Sequence, residues 1–323
     1  MSSKGGIMME EMILPYSEEK LMTAQDKKKY YQNIRDYCEV LSSKYNNKIS
    51  IGQNMMTQLY LKEFYNKKLV IIGEENIPND KNVLFLCNHS NSHDVFSMYI
   101  ALKKIGISTS VMVADDCLNF MSKMVFASAD ATFINREVKK SANNGIIELS
   151  SKLIAGKTGV IFGEATWNLH PTKLMQPLKI GGVKIATISD TVIVPTILEY
   201  IEVPKICNKE LELYDKIILK FGKPYYVNDT DLVEQTNYIK TYMEHMRNQI
   251  WIQNGIDKTS LNSIDPNVYV NHTYLKKFCS FGFKYDSLRE FKFIYNKYGT
   301  ITNEYCKDEN GQLVPGITKR YHK

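Results

Sequence analysis

The middle of the chain alternates short apolar runs with longer helical stretches, and this pattern constrains the fold more than any other feature. Apolar runs typical of strands cover residues 68–73, 83–88, 108–114, 158–162, 192–198 and 216–221, and helical patterns cover 93–104, 138–155, 178–188 and 231–251. Strands that alternate with helices are typical of sheets covered by helices. We therefore predict an α/β fold, with a mixed, largely parallel sheet covered by helices.

The composition changes on both sides of this region. Residues 18–44 lack Gly and Pro and are rich in Lys, Glu, Gln, Leu and Met, which predicts a helix with a charged outer face; a second helix is expected at 55–65. Beyond residue 254, Tyr, Phe, Lys and Asn dominate, and Glu309-Asn310-Gly311 predicts a hairpin turn. We therefore divide the chain into an N-terminal helical segment (1–66), an α/β domain (67–254) and a small strand-containing C-terminal extension (255–323).

Charge, cysteine usage and hydropathy narrow the class of protein. A net charge of +6, from 41 basic and 35 acidic residues, is too mild to indicate nucleic acid but suits anionic lipid or phosphorylated substrates. The six cysteines form no C-x-x-C pair, which favours reduced thiols in a cytosolic protein. The N-terminus has no apolar core of signal-peptide length, and no apolar run reaches the ~20 residues of a membrane span. We expect a cytoplasmic protein whose membrane contact is peripheral.

The stretch LFLCNHSNSHDVF, residues 84–96, runs from a strand-like segment into a polar cluster. His89, His93 and Asp94 could ligate a metal, but His89 directly follows the strand and has Ser90 where zinc hydrolase motifs of this spacing have glutamate. A base with its orienting carboxylate requires only that His89 and Asp94 meet across the loop. A polar turn without chemistry is the third interpretation, and the stretch alone leaves all three open.

Six segments follow one another in a fixed order between residues 68 and 250. They are Asn88-His89 with Asp94, TFINR (132–136), FGEATWN (162–168), LKIGGVKIA (178–186), VIVPTIL (192–198) and FGKP (221–224). In this order they resemble the signature motifs of the glycerolphosphate and lysophospholipid (1-acylglycerol-3-phosphate) acyltransferase superfamily.

The resemblance implies an O-acyltransferase that works without a cofactor or a metal. His89, oriented by Asp94, would deprotonate an acceptor hydroxyl, and the alkoxide would attack an acyl thioester supplied by acyl-CoA or an acyl carrier protein. The acceptor would be a glycerophosphate-type molecule, a lysophospholipid. The residues that the resemblance assigns to acceptor binding are Arg136, which would contact the phosphate, with Asn135, Glu164, Thr166 and Lys179; Glu164 and Thr166 would alternatively order their loop.

The third segment departs from the motif that it resembles. Gly163 stands where the family has proline, Ala165 where it has glycine and Trp167 where it has arginine. Loss of that arginine removes one cation from the anion pocket, for which Lys173, Lys179 or Lys184 would compensate. Otherwise the acceptor is a glycolipid, a sugar or a specialised metabolite, with Trp167 stacked on a sugar or lining an apolar acceptor.

Two alternatives change the class of activity. One is a metal-dependent hydrolase that uses His89, His93 and Asp94, and the other is a non-catalytic relative that binds lipid or an acyl carrier. Long-chain substrates reside in the bilayer, so an enzyme of this kind needs a surface for the inner face of a membrane. The candidates in the sequence are the N-terminal helices and the aromatic C-terminal extension.

Overall fold

The structure is a computed structural model of the chain. It describes residues 12–46, 48–60, 68–79, 82–91, 93–115, 118, 120–136, 138–168, 172–202, 214–228, 231–258, 305–307 and 313–315.

One seven-stranded sheet forms the centre of the described part of the chain. Its strands are β1 (Leu69–Ile72), β2 (Val83–Cys87), β3 (Thr109–Ala114), β4 (Thr132–Ile134), β5 (Thr158–Phe162), β6 (Val192–Glu202) and β7 (Tyr214–Phe221), in the spatial order β1-β7-β6-β2-β5-β3-β4. Every neighbouring pair is parallel except β6 and β7. The predicted α/β fold with a mixed, largely parallel sheet is therefore confirmed.

Helices cover both faces of this sheet. They are α1 (Tyr16–Glu19), α2 (Ala24–Ser42), α3 (Ile51–Tyr60), α4 (Asp94–Lys104), α5 (Phe120–Ser128), α6 (Lys139–Ile154), α7 (Gly181–Ser189) and α8 (Leu232–Gln253). No helix in the described ranges combines the length and the apolar character needed to cross a membrane.

Strand β2 lies between β5 and β6 and is buried along its whole length, as its run of apolar residues predicts. Its side chains alternate between two cores because successive residues of a strand point to opposite faces of the sheet. Phe85 and Cys87 belong to the core that contains Tyr99 of α4, whereas Leu84 and Leu86 belong to the core formed with α6, α7 and α8. This double burial fixes the register of β2 and so the position of the residues that follow it.

The N-terminal helices pack directly on the sheet's helical layer. Ile34 and Cys38 of α2 lie against Ile147 of α6 and Ile188 of α7. The single helix predicted over 18–44 is wrong at its start, since Thr23 caps a new helix: its Oγ accepts a hydrogen bond from the Asp26 N–H at 3.1 Å. The second predicted helix, at 55–65, is found at Ile51–Tyr60, and residues 61–67 lie outside the described residues.

Two elements were not predicted from the sequence. Strand β4 has only three residues and lies at the edge of the sheet, so its apolar pattern is too short to distinguish from a loop. Helix α5 carries apolar residues on exposed as well as buried sides, so it lacks the one-sided pattern that identifies a surface helix. Both elements follow β3 and complete the edge of the sheet next to the candidate site.

In the C-terminal extension, β8 (Tyr305–Lys307) and β9 (Leu313–Pro315) pair antiparallel on either side of the predicted turn at 309–311, which confirms the hairpin. Residues 259–304, including the aromatic and lysine-rich segment 276–285, lie outside the described residues. The boundaries proposed for the three segments stay a prediction.

Candidate active site

The polar residues singled out in the sequence follow the carboxyl ends of three parallel strands. Asn88 and His89 follow β2, Asn135 and Arg136 follow β4, and Glu164 lies two residues past β5. Parallel strands end at the same edge of a sheet, which is where ligand sites form in α/β folds.

His89 and Asp94 are in contact. The Nδ1 atom of His89 lies 2.8 Å from Oδ2 of Asp94, and the loop between them turns back so that the carboxylate lies beside the ring. Asp94 is completely buried, whereas the side chain of His89 keeps 18% of its surface exposed. The contact between His89 and Asp94 that the sequence predicts is therefore confirmed, and Nδ1 is the ring nitrogen that faces the carboxylate.

Asp94 is fixed by further donors from the same loop. Its Oδ2 atom accepts backbone hydrogen bonds from Ser90 at 2.7 Å and Asn91 at 2.9 Å. Asp94 is also the first residue of α4, where the helix dipole favours a negative charge. The carboxylate therefore has one position relative to the ring, as a group that orients a histidine must.

Asn88 joins β2 to the neighbouring strand β6. Its side-chain Nδ2 donates to the Leu198 carbonyl at 3.0 Å, and its Oδ1 accepts from the Leu198 N–H at 2.7 Å. The amide thus takes the place of a backbone pair just beyond the end of β2, and it is completely buried. Asn88 is a structural residue of the site, because both of its polar groups bind backbone.

The backbone of His89 is held on both sides by the segment that follows β5. Its N–H donates to Oε1 of Glu164 at 2.8 Å, and its carbonyl accepts from the N–H of Asn168 at 2.6 Å. The sequence did not single out Asn168, although it ends the motif FGEATWN. The Asn168 side chain donates to the carbonyl of Lys173 at 2.9 Å and accepts from Gln176 Nε2 at 3.2 Å, so the loop is closed on itself.

Glu164 is completely buried, and both of its oxygens accept backbone hydrogen bonds. Oε1 accepts from His89, and Oε2 accepts from the Gln176 N–H at 2.5 Å. Burial raises the pKa of this carboxyl from 4.5 to about 7, against the opposing effect of those two hydrogen bonds and of the charges on Arg247 and Lys240. Of the two roles expected for Glu164, this geometry favours loop ordering over direct contact with an acceptor.

Two aromatic rings border the imidazole of His89. Phe162, the last residue of β5, stacks on it with centroids 4.4 Å apart, and Trp167 meets it edge-on at 5.8 Å. Trp167 is only 8% exposed, which leaves little of its ring for stacking on a sugar. Trp167, which stands where the motif has arginine, therefore packs beside the imidazole of His89.

Arg136 reaches the same loop from β4. Its Nη1 donates to the carbonyl of Ala165 at 3.2 Å, and the side chain is half-buried. Its neighbour Asn135 is half-buried, and its N–H donates to Ser141 Oγ at 2.8 Å. The structure therefore brings Arg136 to the loop that holds His89.

The remaining expected residues lie in or beside this loop. Thr166 is buried, and Lys179 is half-buried with its N–H bonded to the Gly163 carbonyl at 2.8 Å. The ammonium of Lys184 is already neutralised, because it is buried in a pair with Glu19 at 2.5 Å. Its expected role as a replacement cation is thus wrong.

His93 takes no part in a metal cluster. It is 2% exposed, precedes α4, and its N–H donates to Oδ1 of Asn91 at 3.0 Å. Among the residues that the structure describes, no three His, Cys, Asp or Glu side chains come together to hold a metal ion. The geometry therefore gives no support to the hydrolase alternative built on His89, His93 and Asp94.

Comparison with known proteins gives a family match and a similarity to solved structures. Residues 68–199 match the family model described as Acyltransferase. The crystal structure of the 1-acyl-sn-glycerophosphate (LPA) acyltransferase PlsC from Thermotoga maritima is similar with a TM-score of 0.44 and 18% identity, over 72% of this chain and 86% of that chain. No curated protein matches the sequence.

Proposed function

On the premise that residues 68–199 match the acyltransferase family model, we propose that the chain moves an acyl group from an acyl thioester to a hydroxyl of a glycerophosphate-type acceptor, a lysophospholipid. The observation that carries the proposal is the contact between His89 Nδ1 and the buried carboxylate of Asp94. The thioester is acyl-CoA or an acyl carrier protein, and the reaction needs no metal or other cofactor.

His89 is the general base of the proposed reaction. Because Nδ1–H donates to Asp94, the other ring nitrogen, Nε2, carries the lone pair that can accept a proton. Asp94 fixes this tautomer and stabilises the imidazolium that forms. Only His89 of the two residues has exposed surface, which agrees with a base that meets substrate and an aspartate that does not.

The atoms balance without a covalent enzyme intermediate. The acceptor hydroxyl gives its proton to Nε2 of His89, and its oxygen attacks the thioester carbonyl. The new C–O bond forms as the carbonyl becomes a tetrahedral oxyanion, whose collapse breaks the C–S bond. The thiolate then takes the proton from the imidazolium, which returns His89 to its starting state.

Arg136 is the proposed ligand of the acceptor phosphate. Its guanidinium is a permanent planar cation suited to phosphate, and its contact with Ala165 places it on the loop that also binds the backbone of His89. Lys179 and Asn135, both half-buried, and the buried Thr166 belong to the same surroundings. Phosphate binding by Arg136 would bring the acceptor hydroxyl towards the base.

A peripheral membrane contact is the other part of the proposal. Phe120, Met121 and Met124 on α5 are 75%, 65% and 52% exposed, and Val138, just before α6, is 47% exposed. We call these four residues the apolar rim. They follow the carboxyl ends of β3 and β4, a pair of strands that ends at the same edge as β2. Lys139 and Lys140 are exposed beside Val138 and suit anionic headgroups.

The test is acyl transfer by the purified protein across a matrix of acyl-CoA and acyl-carrier-protein donors with phosphorylated and unphosphorylated acceptors. We expect thioester consumption with a phosphorylated acceptor, and a fall in kcat of about 10³-fold or more in His89→Ala. Wild-type rates in folded His89→Ala would refute the base.

Arg136→Ala supplies the second arm of this experiment. It should raise KM more for phosphorylated than for unphosphorylated acceptors, because only the former lose an ionic contact. An equal loss on both kinds of acceptor would count against its anion-binding role.

A further inference from the structure

Arg247 on α8 is a buried cation on the far side of the loop that binds His89. It is 4% exposed, its Nε donates to Oε2 of Glu199 on β6 at 2.5 Å, and its Nη1 donates to the carbonyl of Leu174. Its guanidinium carbon lies 5.4 Å from the centroid of the Trp251 ring. The planar guanidinium, with its several N–H groups, is needed to donate to a carboxylate and to a backbone carbonyl at the same time.

The carbonyl of Leu174 begins a short chain of contacts to the base. Two residues later, the N–H of Gln176 donates to Glu164, whose other oxygen holds the N–H of His89. The carbonyl of Lys173 and the side chain of Gln176 hold Asn168, whose N–H binds the carbonyl of His89. Segment 173–176 therefore supports both backbone groups of His89.

We propose that Arg247 is a positioning residue for the acyl transfer proposed above: by fixing Leu174, it holds segment 173–176 and, through Glu164 and Asn168, sets the imidazole of His89 for proton transfer. Arg247 does not act on substrate. Loss of its guanidinium loosens the loop, and a displacement of about 1 Å at a reacting group costs on the order of 10²-fold in rate.

The charge of Arg247 has a second effect, on Glu164. An ionised carboxylate accepts both N–H groups in charge-assisted hydrogen bonds, whereas a protonated one is neutral and carries an O–H on one oxygen, which weakens these bonds. Burial raises the pKa of Glu164 to about 7, and the charge of Arg247 opposes the rise. The two backbone hydrogen bonds that Glu164 accepts, from His89 and Gln176, therefore have their full strength above about pH 7 and are weakened below it.

The charged groups near Glu164 come from α8, from β6 and from the segments that follow β2 and β4. Arg247 and Lys240 lie on α8 and are paired with Glu199 of β6 and Glu244 of α8, respectively, while His89 follows β2. Arg136 binds the carbonyl of the next residue, Ala165. Burial alone would raise the pKa of Glu199, but Arg247 holds it below its usual value, so this pair is ionic. Removal of the cation at position 247 should raise the pKa of Glu164 further.

The experiment compares Arg247→Lys with Arg247→Gln. Both lose the guanidinium, so kcat should fall about 10-fold or more in each with little change in KM, because neither residue contacts substrate. Only Arg247→Gln also loses the positive charge. In the plot of kcat/KM against pH, the fall on the acid side should therefore shift to higher pH in Arg247→Gln and not in Arg247→Lys. When Arg247→Gln is combined with Glu164→Gln, this shift should disappear.

Lys184→Gln is the matched control, since Lys184 is as buried as Arg247 and paired with the buried Glu19. It should lose stability without a change in kcat or in the fall of kcat/KM on the acid side. Wild-type kcat in folded Arg247→Lys, or the same shift with and without Glu164, would overturn the proposal. Should Arg247→Gln fail to fold, the lysine variant still decides the positioning role.

A readout that needs no activity separates this inference from the proposed function. The Glu164 carboxyl signal in infrared or ¹³C spectra, identified by its absence in Glu164→Gln, should titrate near pH 7 in the wild type and higher in Arg247→Gln. A protein without acyl transfer in the donor and acceptor matrix would refute the proposed function, whereas an unmoved Glu164 midpoint would refute the charge effect of Arg247.

Discussion

Ala165 has a backbone conformation that favours glycine. Its φ is +61°, and it lies in the loop between Glu164 and Trp167, where the motif that the sequence resembles has glycine. The left-handed region costs a residue with a Cβ roughly 1–2 kcal/mol. Ala165 is also the residue whose carbonyl binds Arg136, so the loop of the candidate site contains a strained backbone conformation.

Replacement of Ala165 by glycine should therefore stabilise the protein. We expect the free energy of unfolding to rise by about 0.5–1 kcal/mol, because relief of strain exceeds the extra entropy that glycine brings to the unfolded chain. Denaturant unfolding measures the change. Ala142→Gly, the same substitution inside α6, should lower stability by about 1 kcal/mol, and a fall in both variants would contradict the strain.

How far the sequence predicted the site depends on sequence separation. His89 and Asp94 are five residues apart, so a local loop is enough to predict their contact. The bond from His89 to Glu164 spans 75 residues and that from Arg247 to Leu174 spans 73. Such contacts depend on the register of β2 against β5, in which Cys87 pairs with Phe162. The sequence suggested the order of these strands but carries no local signal for their register.

At the scale of elements, the junction of β2 with β6 fixes the position of His89, the proposed base. Beyond Cys87, the buried side chain of Asn88 replaces backbone pairing with Leu198, and His89 is the next residue. The strands themselves were predictable from apolar runs, whereas this amide bridge was not. Its partners are a backbone N–H and a carbonyl, groups that every residue except proline carries, so sequence patterns do not reveal them.

Asn88→Ala should therefore impair both stability and catalysis. Two buried backbone groups of Leu198 would lose their partners, which costs about 2–3 kcal/mol of unfolding free energy, and kcat should fall about 10-fold or more as His89 shifts. Thermal or denaturant unfolding and acyl transfer measure the two effects.

Gln53→Ala is the control for Asn88→Ala. The Gln53 amide is also buried and also bridges two backbone groups, the Ile107 carbonyl and the Thr109 N–H, but at the amino end of β3. It should lose similar stability and keep kcat. Equal losses of kcat in both variants would show that stability alone, rather than the position of His89, governs the rate.

At the scale of the whole molecule, the candidate active site and the exposed apolar rim lie at the same edge of the sheet. The proposed base His89, Arg136 and the apolar rim all follow carboxyl ends of parallel strands, so under the proposed function the site and the membrane-contacting surface lie on the same side of the molecule. In the N-terminal segment, Leu21 between α1 and α2 and Val40 on α2 are exposed. Contact through those helices or the C-terminal extension stays a prediction.

Replacement of Phe120, Met121 and Met124 by serine should weaken binding to vesicles of phosphatidylcholine and phosphatidylglycerol by about 10-fold or more, because the burial of three large side chains in lipid is lost. Sedimentation measures binding. Tyr226→Ser/Tyr238→Ser/Ile252→Ser replaces side chains that are 54%, 63% and 69% exposed on α8 or just before it, and this variant should bind as the wild type does. Equal weakening in both triple variants would argue against the apolar rim.

The pH dependence of the molecule separates activity from stability. Because folding raises the pKa of Glu164 from 4.5 to about 7, its contribution to stability is complete below about pH 4.5 and is lost as the pH rises through about 7. Acid therefore protonates Glu164, which holds the backbone of His89, and the protonated form of Glu164 favours the folded state. The Glu164 carboxyl therefore does not unfold the protein between these pH values, and its contribution to any loss of activity there is an altered loop.

The position of β2 between two distant partners also governs how the chain folds. Leu84 pairs with Gly159, 75 residues later, on one side and with Ile193, 109 residues later, on the other, so the central strand has only one neighbour available until β6 has been synthesised. Pairings this far apart in sequence form slowly, and an apolar strand that waits for them is exposed to aggregation. A chain that pauses on the ribosome between β2 and β6 therefore leaves one edge of an apolar strand unpaired, and the loop that follows β2 gains its partners on β6 only after that interval ends.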